Sequence, residues 1–99
     1  MNKNKIIASI DVGSSKITTL IAQVNVEEIT QEYTVNIIGV SSVPSKGVKK
    51  GQIVDIEESV EAIISSVEPA ERMSGFNLDS AFISVGGAHI SSQNSKGVV

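Results

Sequence analysis

The sequence predicts an α/β fold in which three strands run as a meander, a helix follows, and a further strand comes after it. Three observations carry this expectation. A short apolar run, Ile6-Ile7-Ala8-Ser9-Ile10, is stopped by the turn signal at Asp11 and Gly13. Two stretches rich in β-branched residues come next, Lys16 to Val26 and Tyr33 to Val43. Only after them does the apolar period change, with Val60, Ile63, Ile64 and Val67 at helical spacing.

Taken in order, Ile6 to Ile10 reads as a strand covered on both faces, ended by Asp11. Gly13 supplies backbone freedom for a tight turn into the second strand, antiparallel to the first. Glu27 to Glu32 is a charged loop. In the third strand, simple alternation puts Tyr33, Val35 and Ile37 on one face and Ile38 and Val40 on the other. Pro44 to Gly51 is a loop, and Gln52-Ile53-Val54 a brief extended piece. Asp55 reads as an N-cap with Glu58 as its reciprocal partner. Pro69 lacks an N–H, which predicts a kink or break near Glu68 and a last turn through Met73, closed by Gly75. Ala81 to Val85 is a further strand stopped by Gly86-Gly87. Residues 93–97 read as a loop, and Val98-Val99 as the first residues of another strand.

Composition narrows the function classes. With 99 residues the chain holds one modest core. Aromatics make up 3%, so that core is aliphatic. A net charge of −3 gives no general attraction to nucleic acid or anionic lipid. Lys46, Lys49 and Lys50 read as a solvated basic loop. There is no cysteine, hence no disulfide framework or thiolate metal site. His89 is the single histidine and carries no metal or catalytic expectation. The apolar run before Asp11 is too short for a signal-peptide core, and nothing approaches the ~20 residues of a membrane span. A cytoplasmic, soluble chain is the default.

One segment carries chemistry. In Asp11-Val12-Gly13-Ser14-Ser15-Lys16, backbone N–H groups of Gly13 to Ser15 can form a concave nest for phosphate oxygens. The Ser14 and Ser15 hydroxyls add neutral donors, and Lys16 brings a mobile point charge. Asp11 can hold Mg²⁺ through its waters, because that ion prefers few carboxylates and keeps its hydration. No Gly-x-x-x-x-Gly-Lys-Ser/Thr occurs, and the turn leads into a strand, so this is not a Walker loop. On local pattern alone, an ordinary hairpin turn is the favoured reading, since Asp, Gly and Ser are common turn residues.

Further blocks give that turn a context. They are Ile38-Gly39-Val40, Pro44-Ser45-Lys46-Gly47-Val48-Lys49-Lys50-Gly51, Val54-Asp55-Ile56-Glu57, Val85-Gly86-Gly87-Ala88-His89-Ile90 and Asn94-Ser95-Lys96-Gly97-Val98-Val99. In this order, from Ile6 to Val99, the chain resembles the N-terminal part of the FtsA family of bacterial cell-division proteins, within the actin and sugar-kinase superfamily. The resemblance implies an actin-like, ribonuclease H-like half-domain: residues 1–79 as the first half of nucleotide-binding subdomain 1A, and 80–99 as the truncated start of subdomain 1C, the SHS2 module. It implies that Gly13, Ser14, Ser15 and Lys16 belong to the first phosphate-binding hairpin and Asp11 to the metal-associated position. Ser14 stands where many relatives have Thr, which keeps the hydroxyl, and Pro69 sits in a helix the family usually runs unbroken.

The implied parent binds ATP with Mg²⁺, polymerises like actin, and links the tubulin-like FtsZ ring to the inner face of the membrane through a C-terminal helix. The second phosphate loop, adenosine pocket, catalytic region and that helix are implied to lie past Val99. For this chain alone, the expectations are weak or absent ATP affinity, no ATPase activity, and an aggregation-prone apolar edge at Ile6 to Ile10. A pilus-assembly or chaperone-type ATPase of the same superfamily, a small-molecule kinase, and a stand-alone module without nucleotide are the other readings.

Overall fold

The structure is a computed structural model that describes residues 2–86 and 88–94, with side chains for 4–86. The elements are β1 (Asn2–Val12), β2 (Lys16–Glu27), β3 (Tyr33–Pro44), β4 (Val48–Lys49), β5 (Gln52–Ile53), α1 (Ile56–Ser74), β6 (Ser80–Val85) and β7 (Ala88–Asn94). Five strands form one mixed sheet in the order β3-β2-β1-β6-β7, and β4 and β5 make a separate two-stranded ribbon. The meander is as the β-branched runs predict, with β1 antiparallel to β2 and β2 to β3. Gln93 and Asn94, expected in a loop, instead end β7, paired with Ala81 and Ser80. Gly87, residues 95–97 and the Val98-Val99 strand start lie outside the described residues, as does the side chain of His89.

The sheet has one covered face and one open face. Along β1, Ala8, Ile10 and Val12 are buried, and register sets them beside Ile21, Thr19 and Ile17 of β2. Ile83 of β6 joins the same face beside Ile10. All of these but Thr19, which meets α1 through its hydroxyl, belong to one hydrophobic core. Alternation sends Asp11, Leu20, Phe82 and Val40 to the opposite, exposed face.

α1 lies on this core through small side chains, which corrects the expected stripe. Ser59, Ala62, Ile63, Ser66 and Ala70 are buried, whereas Ile64 is 49% exposed and Val60 and Val67 are only half-buried. The reason is a close approach to β3. A Cβ on Gly39 would stand 2.5 Å from the Ala70 carbonyl oxygen, so large residues on that helix face have no room. The contact is partly polar, with Thr19 Oγ1 2.8 Å from Ser66 Oγ and the Ser66 hydroxyl reaching the Ile17 carbonyl at 3.3 Å. These groups are fully buried and satisfied.

Four further expectations change. The helix runs unbroken through Pro69. Buried contacts at Ser66 and Ala70, on either side of it, hold both halves on the same sheet. Asp55 is the N-cap, its carboxylate accepting from the Glu58 amide at 3.0 Å, but the reciprocal bond does not form as expected. The Asp55 amide donates to the Gly47 carbonyl at 3.1 Å instead. In β3 a bulge shifts the register between Ile21 and Ala22 of β2, pairing Gly39 with Ile21 and Ile37 with Ala22. Val40 therefore shares a face with Tyr33, Val35 and Ile37 rather than opposing them.

The fourth change is the largest. β1 is not an edge: β6 pairs parallel with it from Ser9↔Phe82 to Val12↔Val85, so β1 lies between β2 and β6. The outer edge that remains on the meander side is β3. Asp11 lies within β1, one residue before its end. Gly75 closes α1 as expected, its amide donating to the Glu71 carbonyl at 2.9 Å.

The cap gives a simple check. Asp55→Ala removes the acceptor for the Glu58 amide and is expected to cost about 1 kcal/mol in a urea-unfolding comparison. An unchanged midpoint would mean that the Asp55 carboxylate contributes nothing to the start of α1.

Candidate functional site

The β1–β2 connection is a three-residue loop, Gly13 to Ser15, between Val12 and Lys16. The Gly13 amide donates to the Lys16 carbonyl at 3.0 Å, which closes the turn. Gly13 does not take a left-handed backbone, so its expected conformational role is replaced by a spatial one. A Cβ there would sit 3.0 Å from the Lys16 carbonyl oxygen. One amide of the expected nest is thus engaged within the turn. Among the described residues nothing accepts from the Ser14 and Ser15 amides, which leaves two donors for an anion.

Two other turns meet this loop. The Ser14 hydroxyl accepts from the Gly51 amide at 2.8 Å, tying the loop to the β4–β5 ribbon. Ser45 donates its amide to the Ser15 carbonyl at 3.0 Å, and the Gly86 amide donates to the Val12 carbonyl at 3.0 Å. Gly51 and Gly86 are themselves in contact: a Cβ on Gly86 would overlap the Gly51 carbonyl and lie 2.9 Å from its Cα. Lys46, Lys49 and Lys50 are exposed, as a solvated segment would be, but Val48 to Ile53 is a paired ribbon and not a loop, anchored beside the hairpin with Lys50 next to Gly51 in its turn. Sequence reasoning missed this convergence. Its signal was the glycines at 51 and 86, which allow main chains to approach where a side chain would not fit.

The register shows which predicted residues come together. Lys16 and Thr18 are alternate residues of β2 and share the open face. Asp11 is paired with Thr18 across β1–β2 and with Ser84 across β1–β6, so its carboxylate is on that face too. Asp11, Ser14, Ser15 and Lys16 are all exposed. A cation at the tip and a carboxylate one pleat behind it, on one face, can meet an anion and its counter-cation together. The donor set beside Asp11 is a single carboxylate with neutral hydroxyls. That suits Mg²⁺ held through its own waters and does not form an all-protein cage. Among the described residues no group of three or more His, Cys, Asp or Glu could hold a metal directly.

Other concave volumes lie elsewhere. One of about 290 Å³ is lined by Glu68, Glu71, Arg72, Gly75 and Asn77, and one of about 230 Å³ runs along Lys5 to Ala8 and Ser80 to Phe82. Neither includes any of residues 11–16. Among the described residues, no helix is long and apolar enough to cross a membrane.

Comparison with known proteins adds what geometry cannot. No family model matches the chain. It is 46% identical over 99 residues to the cell division protein FtsA of Bacillus subtilis, covering all of this chain and 21% of that protein. FtsA of Pseudomonas aeruginosa is 35% identical over 99 residues, again all of this chain, with 22% of that protein covered. FtsA of Escherichia coli is 34% identical over 95 residues, 96% of this chain and 21% of that protein. The chain spans about a fifth of the length of these curated relatives. Over all or nearly all of its length, the chain is thus similar to about a fifth of the cell division protein FtsA in divergent bacteria.

Proposed function

We propose that the chain is the nucleotide-gripping start of an actin-like cell-division scaffold, and that Gly13, Ser14, Ser15 and Lys16 hold phosphate while Asp11 holds hydrated Mg²⁺. The observation that carries this is the register, which puts Lys16 and Asp11 on one open face at the tip of a hairpin tied down at Ser14. The similarity to FtsA supports a role in division. In this reading residues 1–79 belong to subdomain 1A and 80–99 open the SHS2 subdomain 1C, with β6 still hydrogen-bonded into the first sheet. ATP is the nucleotide, and it acts as a switch for self-association into filaments. FtsZ is the partner, and attachment at the cytoplasmic face of the membrane uses a helix outside this segment. The 99 residues alone bind ATP weakly and do not hydrolyse it, because one hairpin grips only one side of a nucleotide.

Lys16→Ala, placed in a full-length protein that contains this segment, tests the proposal. Losing a charge-assisted phosphate contact is expected to weaken Mg-ATP binding by about tenfold or more in calorimetric titration. Unchanged affinity in a folded variant would remove the hairpin from the nucleotide site.

A further inference from the structure

Asp11 stands in a row of polar side chains that crosses four strands of the open face. Register sets Asp11 beside Ser84 of β6 and Thr18 of β2, and sets Thr18 beside Ser42 of β3. The next row away from the tip pairs Ser9 with Phe82 and Leu20, and Leu20 with Val40, so the face turns apolar within one pleat. The polar row therefore occurs only below the hairpin tip. Thr18 and Ser42 face away from α1, whose packing uses Ile17, Thr19 and Ile21 of the same strand. The helix contact gives no reason for hydroxyls at these two positions.

The Thr18 and Ser42 hydroxyl oxygens are 3.3 Å apart, and either can donate. The pair carries two O–H protons and uses one between its members. The other is free to donate to an acceptor above the sheet. Lys16 lies two residues along β2 from Thr18, about 7 Å by strand rise, on the same side. A chain of phosphates that meets Lys16 at the tip and runs back over the sheet meets the Thr18 hydroxyl next, with Asp11 alongside for its hydrated cation.

We propose that Thr18, oriented by Ser42, is a further phosphate-binding residue, contacting the phosphate group next to the one held by Lys16. This rests on the reading of the hairpin as a phosphate site and names a polyphosphate as its ligand. Free and nucleoside polyphosphates share that chemistry, so both serve as probes.

The test is titration of the 99-residue chain with inorganic tripolyphosphate and, separately, with Mg-ATP, followed by ³¹P resonance shifts. Thr18→Val keeps the side-chain shape and removes the hydroxyl. It is expected to weaken both ligands about tenfold or more, the range for one hydrogen bond to a charged acceptor, with no change in thermal midpoint. Thr18→Ser retains wild-type affinity. Ser42→Ala weakens binding less than Thr18→Val, and the double variant Thr18→Val/Ser42→Ala is no weaker than Thr18→Val alone. If Lys16→Ala abolishes binding while Thr18→Val leaves it intact, the role of Thr18 is overturned and the hairpin reading stands. Loss confined to Mg-ATP would place Thr18 against the nucleoside and also overturn it. If Lys16→Ala binds as the wild type does, or the wild type shows no saturable shift with either probe at tens of millimolar, the hairpin reading fails first.

Discussion

Replacing Gly47 with alanine is expected to cost about 3 kcal/mol of stability, because two independent penalties coincide there. Gly47 has φ +72°, a left-handed backbone that costs an L-residue with a Cβ roughly 1–2 kcal/mol. The added Cβ would also overlap the Asp55 carbonyl oxygen and come within 2.9 Å of the Ser59 amide nitrogen. Those atoms are the first turn of α1, with Ser59 donating to the Asp55 carbonyl at 3.1 Å, so neither can move without loosening the helix start. The Gly47 carbonyl meanwhile accepts from the Val54 and Asp55 amides at 2.8 and 3.1 Å. One residue thus binds the ribbon to the helix cap. For a domain near this size, about 3 kcal/mol lowers the thermal midpoint by roughly 12–24 °C. A midpoint within experimental error of the wild type would contradict the close packing of Gly47 on the helix start.

Gly39→Ala is expected to cost about 1–3 kcal/mol for a different reason. Its backbone is unremarkable, but its Cβ would stand 2.5 Å from the Ala70 carbonyl oxygen and 3.2 Å from the Ser74 Cβ. The nearest obstacle is main chain, so trimming the facing side chain does not relieve it. Gly39→Ala/Ala70→Gly is therefore expected to be less stable than Gly39→Ala, since glycine at 70 adds a helix-propensity cost of about 1 kcal/mol. Recovery of stability in the double variant, measured by urea unfolding, would show that side chains and not backbones set the helix–sheet distance.

Local chemistry was legible in the sequence, and long-range placement was not. The β-branched runs 16–26 and 33–43 carry their own strand preference, and Asp55 and Gly75 mark the helix ends by capping chemistry that needs no distant partner. Pro69 misled because its local cost is offset by burial on either side, at Ser66 and Ala70. Simple alternation failed in β3 because a bulge adds a residue that hydropathy does not announce. The place of β1 between β2 and β6 depends on a pairing between segments about seventy residues apart, such as Ser9 with Phe82. For the candidate site, the residue types Asp11 to Lys16 were readable as an anion turn. Their tether to Gly51 and the shared face with Thr18 and Ser42 follow from register and convergence of turns, which a linear pattern does not contain.

The hairpin as the phosphate grip of this segment is tested most directly by mapping amide resonances of the 99-residue chain during titration with Mg-ATP. The largest saturable shifts are expected at Gly13, Ser14, Ser15 and Lys16, with smaller ones at Thr18 and at Gly51, which is hydrogen-bonded to Ser14. Saturation is expected only at millimolar ligand or above, as one half of a site would give. Shifts centred instead on Glu71, Arg72 and Asn77, or none at the hairpin while the ligand binds, would contradict it.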